Sequence, residues 1–435
     1  MSLAVDLEPE RPTQAAKPPR RRRRAGRRAA VIIALVLVLA MAAYVGLALV
    51  RPLPATAAIV PASATASIET AGVAPAWPAT GGAAIGLVGQ DELLGSHGSD
   101  ASVPIASMTK TITALVLLDR YKLTAGEQGP TITFGERDVD ILNEVWAEDG
   151  SWAKVAAGEK LTLVQALTAM ILPSANNYAR SLAVWSYGSQ AKFVSVANAW
   201  LKQHGFTHTH MTDPSGLDSG SVSNMTDLVG IGKLAIANPV LAKVVNTPTA
   251  TLPTVGTIHN TDPLIGKYGI EGVKTGYTQQ AGHCLLFAAK VSVNGTERTF
   301  VGVMTGQPTY AALWKGVPKL LKSFEQSFHL VDLTNSGTTV YASYRAPWGA
   351  KTSVIPGTTP HVELYSKGSV TVKVDAARLV TAPSGAAAGK VTFTAAGTGG
   401  GGDTTGTEVS APLVTTGTLA APSAWWRITH PHELF

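Results

Sequence analysis

Cysteine is almost missing from this 435-residue chain, which carries Cys284 alone. An internal disulfide framework is therefore impossible, and so is a zinc site built from several thiolates. Charge is also scarce, at 15% against 45% apolar residues, the reverse of the balance in a disordered chain. Most of the chain has no net charge either. Residues 1–28 hold nine Lys and Arg against three acids, which accounts for the whole net charge of +6. The rest is balanced, so the basic character belongs to a tail and gives no support to a nucleic-acid-binding body. Between Ala179 and Ile270 there is no glutamate, only Asp213, Asp218, Asp227 and Asp262. The length suggests roughly two to three domains.

What is present begins with residues 29–50, AAVIIALVLVLAMAAYVGLALV, uncharged and bounded by Arg28 and Arg51. As a helix this stretch would reach roughly 33 Å, enough to cross a hydrocarbon core of about 30 Å. The basic residues 1–28 would stay in the cytoplasm and everything after Arg51 would lie outside. A cleaved signal peptide is the alternative, and Ala55-Thr56-Ala57 would suit a signal peptidase. The apolar run is longer than the roughly 7–15 residues of a signal peptide, which favours an uncleaved membrane anchor. In either case the body is extracytoplasmic, a compartment that the lone Cys284 fits because no spare thiol is left to mispair.

Residues 51–80 are rich in Ala, Pro and Thr and read as an extended linker. From about residue 81 the pattern is globular. AAIGLVG and ELLGSH read as strands around a turn at Gln90-Asp91. Helical spacing follows at Met108, Ile112, Leu115 and Val116, then after the capping-box pair Thr162 and Gln165, then from Asn177 to Trp185, and from Thr226 until Pro239 stops the helix. GHCLLFAAKVSV and ERTFVGVMTG read as a hairpin joined at Asn294-Gly295, and a last helix spans about Tyr310 to Phe324. Strands, helices, strands and a helix over residues 81–331 predict one α/β domain whose antiparallel sheet is closed by its first and last segments. Residues 332–435 alternate at strand spacing and predict a separate all-β domain, with a flexible tip at Gly399 to Gly402.

Three short patterns carry chemistry. Ser107-Met108-Thr109-Lys110 opens the first apolar helix, Ser174-Ala175-Asn176 follows Pro173, and Lys274-Thr275-Gly276 begins a strand. A serine hydroxyl is a poor nucleophile until a base takes its proton. Ser107 and Lys110, at i and i+3, share a helix face. A lysine becomes a base when desolvation and a second cation lower its pKa, and Lys274 could be that cation. A serine in the first turn also places its own N–H where an oxyanion needs a donor. Ser174 could relay a proton, and the Asn176 amide could both donate to and accept from a peptide-like substrate. Each pattern alone is weak, since S-x-x-K recurs at Ser151–Lys154 and Ser189–Lys192. Order and context select the set: Ser107 opens an apolar helix, Ser174 follows 67 residues later, and Lys274 starts a strand 100 residues beyond that.

The set resembles the penicillin-binding proteins and serine β-lactamases, and within them the low-molecular-mass D-alanyl-D-alanine carboxypeptidases of actinobacterial type. The surroundings PIASMTK, LPSANNYA, THTHMTDPSGLDSG, HNTDPLIG and GVKTGYTQQAG match over about residues 75–330. The ending PSAWWRITHPHELF is similar to chain ends of actinobacterial members. Many relatives end in an amphipathic membrane-binding helix instead, a job that residues 29–50 would do here. The resemblance implies an antiparallel sheet with a helical subdomain and a second, β-rich domain. It implies that Ser107 attacks the penultimate D-Ala carbonyl of a peptidoglycan stem peptide with Lys110 as general base. Ser174 and Lys274 would carry the proton to the leaving amine. Lys274, Thr275 and Gly276 would form the carboxylate strand, Asn176 would hold a substrate amide, and the N–H groups of Ser107 and Tyr277 would form the oxyanion hole. It implies β-lactam binding and needs neither cofactor nor metal.

A β-lactamase of the commonest type would place a glutamate between the second and third motifs, where this chain has none. A transpeptidase shares the first half-reaction, and a non-catalytic penicillin-binding sensor would be expected to have lost part of the set. His204, His208 and His210, like His430 and His432, read as structural or solvated side chains. Cys284 reads as a buried core thiol, and Trp425-Trp426 as packing onto the β domain, with contact to lipid or glycan as the alternative.

Overall fold

Strands Ile270–Thr278, Gly282–Val293, Thr296–Gln307, Gly82–Leu87 and Leu93–His97 lie side by side in that order, every neighbour antiparallel. The first strands of the body thus close onto the last. The computed structural model describes residues 21–334, 339–397 and 407–435. Residues 1–20 of the basic tail and the run Gly399 to Gly402 lie outside the described residues.

The apolar run in Gly282–Val293 is continuous because both faces of the sheet are covered. Leu285 and Phe287 point to one face, with Phe300, Met304 and the helix Tyr310–Ser327. Leu286 and Ala288 point to the other, into a core shared with Ile112, Leu228 and Val229. Asn294 and Gly295 both take positive φ, as a two-residue hairpin turn requires.

The helical middle comprises Thr109–Tyr121, Glu136–Ala147, Leu163–Ile171, Asn176–Tyr187, Gln190–Gln203, Met225–Ala237 and Pro239–Val245. Thr162 and Gln165 form the reciprocal capping box, at 3.2 and 2.9 Å. Glu136–Ala147 and Gln190–Gln203 were not apparent in the sequence reading. The second opens at Ser189, whose hydroxyl accepts from Lys192 N at 3.1 Å, so that serine is a helix cap. Pro239 does not simply end a helix. The chain turns at Asn238, whose side chain caps Val240 and Leu241, and Pro239 opens the next helix.

Residues 51–80, expected as an extended linker, are instead held against the β-rich region from Thr56 to Thr70 and against the catalytic sheet and its last helix from Ala76 to Thr80. Thr56 exchanges backbone hydrogen bonds with Leu379 and Ile59 with Ser343. Ala64 is buried, and Ile68–Thr70 adds an edge strand to Gly368–Ala376. Trp77 stacks on His97 at 5.7 Å. An extended backbone has unpaired N–H and C=O groups, and the neighbouring sheet edge supplies their partners. That sheet runs Ile68–Thr70, Gly368–Ala376, Ala387–Gly397, Thr407–Thr415, Lys351–Pro356, Ala342–Arg345. Its core gathers Tyr344, Val354, Val391, Phe393 and Leu413.

Arg21–Val50 is one helix, apolar and uncovered over nearly its whole length from Ala25, and long enough to cross a membrane.

Candidate active site

Ser107 sits in the single helical turn Ala106–Met108 that leads into Thr109–Tyr121. Ala106 takes φ +46°, a conformation strained for any side chain, and two glycines hold it there. A Cβ on Gly216 would lie 1.9 Å from the Ala106 carbonyl oxygen, and one on Gly276 would lie 3.3 Å from Ser107 N. The loop containing Gly216 and the strand containing Gly276 therefore press against the serine turn from two sides. Thr109 adds a hydrogen bond from its hydroxyl to Ala106 O at 2.8 Å.

Lys110 is fully buried beneath Ser107. Its Nζ lies 2.8 Å from Ser107 Oγ, 2.6 Å from Asn176 Oδ1 and 2.8 Å from Ser215 O. An ammonium would donate all three bonds. A neutral amine donates two, to Asn176 and Ser215, and turns its lone pair to the Ser107 hydroxyl. Burial, with the charge of Lys274 next, holds the Lys110 pKa well below the ordinary lysine range, and Asp213 opposes the shift in part.

Asp213 acts as the hub of the loop that carries Ser215. Its carboxylate accepts from Ser215 N, Gly216 N and Ser221 Oγ at 3.0, 2.9 and 3.1 Å, and from the Ser215 hydroxyl. Neither Asp213 nor the Ser215 carbonyl was singled out as a site group in the sequence. The DPSGL pattern was the available signal, because an aspartate two residues before a serine and three before a glycine suits an Asx turn.

Lys274 lies mid-strand in Ile270–Thr278, buried under the floor of the cleft, with Nζ 3.3 Å from Thr275 Oγ1. Burial lowers its pKa to about 7, against the attraction of Asp262. Burial likewise raises the Asp262 carboxyl to about 6. The Thr275 hydroxyl pairs with Thr261 Oγ1 at 2.6 Å. Ser174, in a left-handed conformation at φ +64°, occupies the turn between Leu163–Ile171 and Asn176–Tyr187. Ser107, Ser174, Asn176, Thr275, Gly276 and Tyr277 share one cleft of about 170 Å³, with Asp149, Ser151 and Tyr310 on its rim. The structure thus gathers six of the eight residues singled out in the sequence on the cleft surface and puts the two lysines beneath it. Asp149, Ser151 and Tyr310 were not foreseen at this site.

The other candidates fall elsewhere. His204 stacks on Trp200 at 4.0 Å and its Nδ1 bonds Trp200 O. Cys284 is buried in the sheet, with its thiol pushed up to about 12 by burial. Among the described residues no His, Cys, Asp or Glu cluster could hold a metal ion.

A serine on a helix start that a strained Ala106 opens, with the desolvated Lys110 in contact with it and a second desolvated lysine in the neighbouring edge strand, defines a serine acyl-transfer enzyme of the penicillin-binding fold. Comparison with known proteins narrows the class. The D-alanyl-D-alanine carboxypeptidase family, peptidase S11, matches residues 88–307, and the chain belongs to that family. It is a serine-type D-Ala-D-Ala carboxypeptidase, a hydrolase. It is 32% identical to a D-alanyl-D-alanine carboxypeptidase of Mycobacterium tuberculosis, over 50% of this chain and 74% of that one. It is 31% identical to a D-alanyl-D-alanine endopeptidase of Pseudomonas aeruginosa, over 49% and 68%. The crystal structure of a Streptomyces K15 DD-transpeptidase superposes with TM-score 0.52 at 27% identity, covering 58% of this chain and 98% of that one. A D-alanyl-D-alanine carboxypeptidase structure from Francisella tularensis, TM-score 0.53 and 18% identity, shares the fold over 80% of this chain and 95% of its own.

Proposed function

We propose that Ser107 is the nucleophile, acting on a peptidoglycan stem peptide that ends in D-Ala-D-Ala. Neutral Lys110 takes the Ser107 hydroxyl proton as Oγ bonds to the penultimate D-Ala carbonyl carbon. The N–H groups of Ser107 and Tyr277 hold the developing oxyanion. The C–N bond breaks, and the proton reaches the leaving amine of the terminal D-Ala through Ser174. Lys110, neutral again, takes a proton from a water whose oxygen bonds to the acyl carbon, the ester bond to Ser107 Oγ breaks, and Lys110 returns the proton to Oγ as the shortened peptide leaves. Asn176 spends its Oδ1 on Lys110 and keeps Nδ2 for a substrate carbonyl. Thr275 receives the substrate carboxylate, with the positive charge of Lys274 beneath it and Gly276 leaving room for the approach.

The observation that carries this reading is the 2.8 Å contact between the buried Lys110 Nζ and Ser107 Oγ. The site also suits β-lactams, whose strained amide would acylate Ser107 in the same way. Residues 29–50 serve as an uncleaved membrane anchor, with the body on the outer side.

The test compares wild type with Ser107→Ala on diacetyl-Lys-D-Ala-D-Ala. Release of D-Ala by wild type alone is the expected result. Equal release by both would reject Ser107 as nucleophile. A labelled penicillin that forms a long-lived Ser107 adduct without D-Ala release would favour a transpeptidase or sensor over the hydrolase.

A further inference from the structure

The last carbonyls of a helix have no partner inside it, and a cation placed there is favourable. At the outer end of the anchor helix that cation comes from the other end of the chain. The Arg427 guanidinium donates to the carbonyls of Ala48, Leu49 and Arg51 at 3.3, 3.1 and 2.8 Å. Tyr44 donates its hydroxyl to Ile428 O, and the Arg51 guanidinium lies 4.4 Å over the Phe435 ring. Tyr44 and Ala48, at i and i+4, share one helix face, and Ala48 is fully covered while most of the helix is exposed. Arg427 belongs to the short helix Ala424–Thr429, opened by Ser423.

This tail is itself fixed to the β-rich region. Trp426 meets Trp348 edge to face at 5.6 Å, and Trp348 Nε1 donates to Ala420 O at 2.7 Å. Trp426 thus packs onto the β-rich region as expected, whereas Trp425 does not and is left to the alternative, contact with lipid or glycan. Trp425 is 73% exposed, on the helix that caps the end of the anchor. Tryptophan is favoured at the headgroup level of a bilayer, where its ring is half apolar and its N–H is wet.

We propose that Ser423–Phe435 is a clasp. It binds the outer end of the anchor helix through Arg427 and lays Trp425 into the lipid headgroup layer, so that the β-rich region is seated on the membrane rather than tethered above it. The proposal rests on the reading of residues 29–50 as an uncleaved anchor, because cleavage after Ala57 would remove the partner of the clasp.

The test uses the full chain in phosphatidylglycerol–phosphatidylcholine vesicles. Intact mass and alkaline extraction report whether the anchor is retained. Arg51→Cys with Phe435→Cys, two exposed positions that meet across the clasp, is treated with a short bis-maleimide that does not reach the buried Cys284. The expected result is an intramolecular cross-link that neither single variant gives. Adding Arg427→Ala, which removes all three carbonyl contacts, should lower its yield by roughly fivefold or more, while D-Ala release stays unchanged. A bimane on Trp425→Cys should be quenched by headgroup spin-labelled lipid. A mature chain lacking residues 1–57 would overturn both the anchor and the clasp. A retained anchor with no cross-link above the single variants would overturn the clasp alone. A cross-link indifferent to Arg427→Ala, or an unquenched bimane, would overturn the role given to Arg427 or to Trp425.

Discussion

The catalytic half and the β-rich half of this protein bury different chemistry. Lys110, Glu159, Asp227, Asp262 and Lys274 are all buried in the first. Among the described residues of the second, the buried polar side chains are threonines such as Thr352 and Thr415, and tyrosines such as Tyr344, whose hydroxyl donates to Ala377 O at 2.6 Å. Taking a charge out of water costs several kcal/mol, a cost that packing alone gives no reason to accept. The β-rich half is built as packing alone would build it. The catalytic half carries its desolvated amines where Ser107 needs them.

The comparison is tested most severely by Lys110→Met. D-Ala release should fall by about 10³-fold. Stability to urea should change by less than about 2 kcal/mol, because removing a desolvated amine offsets the bonds lost at Asn176 and Ser215. A large loss of stability would mean that Lys110 is structural first.

Next in size are two glycines, one in each half, both at positive φ. A Cβ on Gly216 meets the Ala106 carbonyl at 1.9 Å, whereas one on Gly385 meets nothing within 4 Å. Gly216→Ala should lower D-Ala release about 100-fold and cost about 3 kcal/mol or more. Gly385→Ala should cost about 1 kcal/mol and leave release unchanged, since only backbone conformation is at stake.

The pH profile is a finer probe. Lys110, with its pKa held well down, must be neutral to act, so kcat/KM rises as it loses its proton. Lys274 must be charged beneath the carboxylate, so kcat/KM falls as it deprotonates from about 7 in the free enzyme. Lys274→Arg cannot deprotonate and should move the alkaline limb upward by about one pH unit or more. Stability follows the same groups. Unfolded lysine keeps its proton to about 10.4, so the unfolded state binds more protons above pH 7 and stability should rise with pH there. Lys274→Met should flatten that rise in urea titrations.

The smallest effect on activity belongs to the β-rich core. Phe393→Ala should cost about 3–5 kcal/mol of unfolding free energy, yet D-Ala release per folded molecule should stay within about twofold. A larger loss would mean that this half positions the cleft.

The Ser107, Ser174 and Lys274 motifs were readable because each couples a chemical group to a local boundary: a helix start, the turn after Pro173, a strand. The hairpin at Asn294-Gly295 and the cap at Thr162 were readable for the same reason. Asp213, Ser215, Asp149 and Tyr310 were not singled out, because their part in the site depends on loops meeting across the fold. The packing of residues 51–80 escaped notice because an Ala- and Pro-rich stretch has the same local character whether it is solvated or laid along a sheet edge.

By itself the sequence determined which reactive groups exist, their order, and the apolar patterns that make the helices and strands carrying them. These are local properties, set by side-chain chemistry and by the 3.6- and 2-residue periods of the backbone. Only the tertiary structure decided that Lys110 is buried, that its amine faces Ser107 rather than water, and that Lys274 lies close enough to lower its pKa. A lysine becomes a base through desolvation and neighbouring charge, and both depend on segments far apart in the chain.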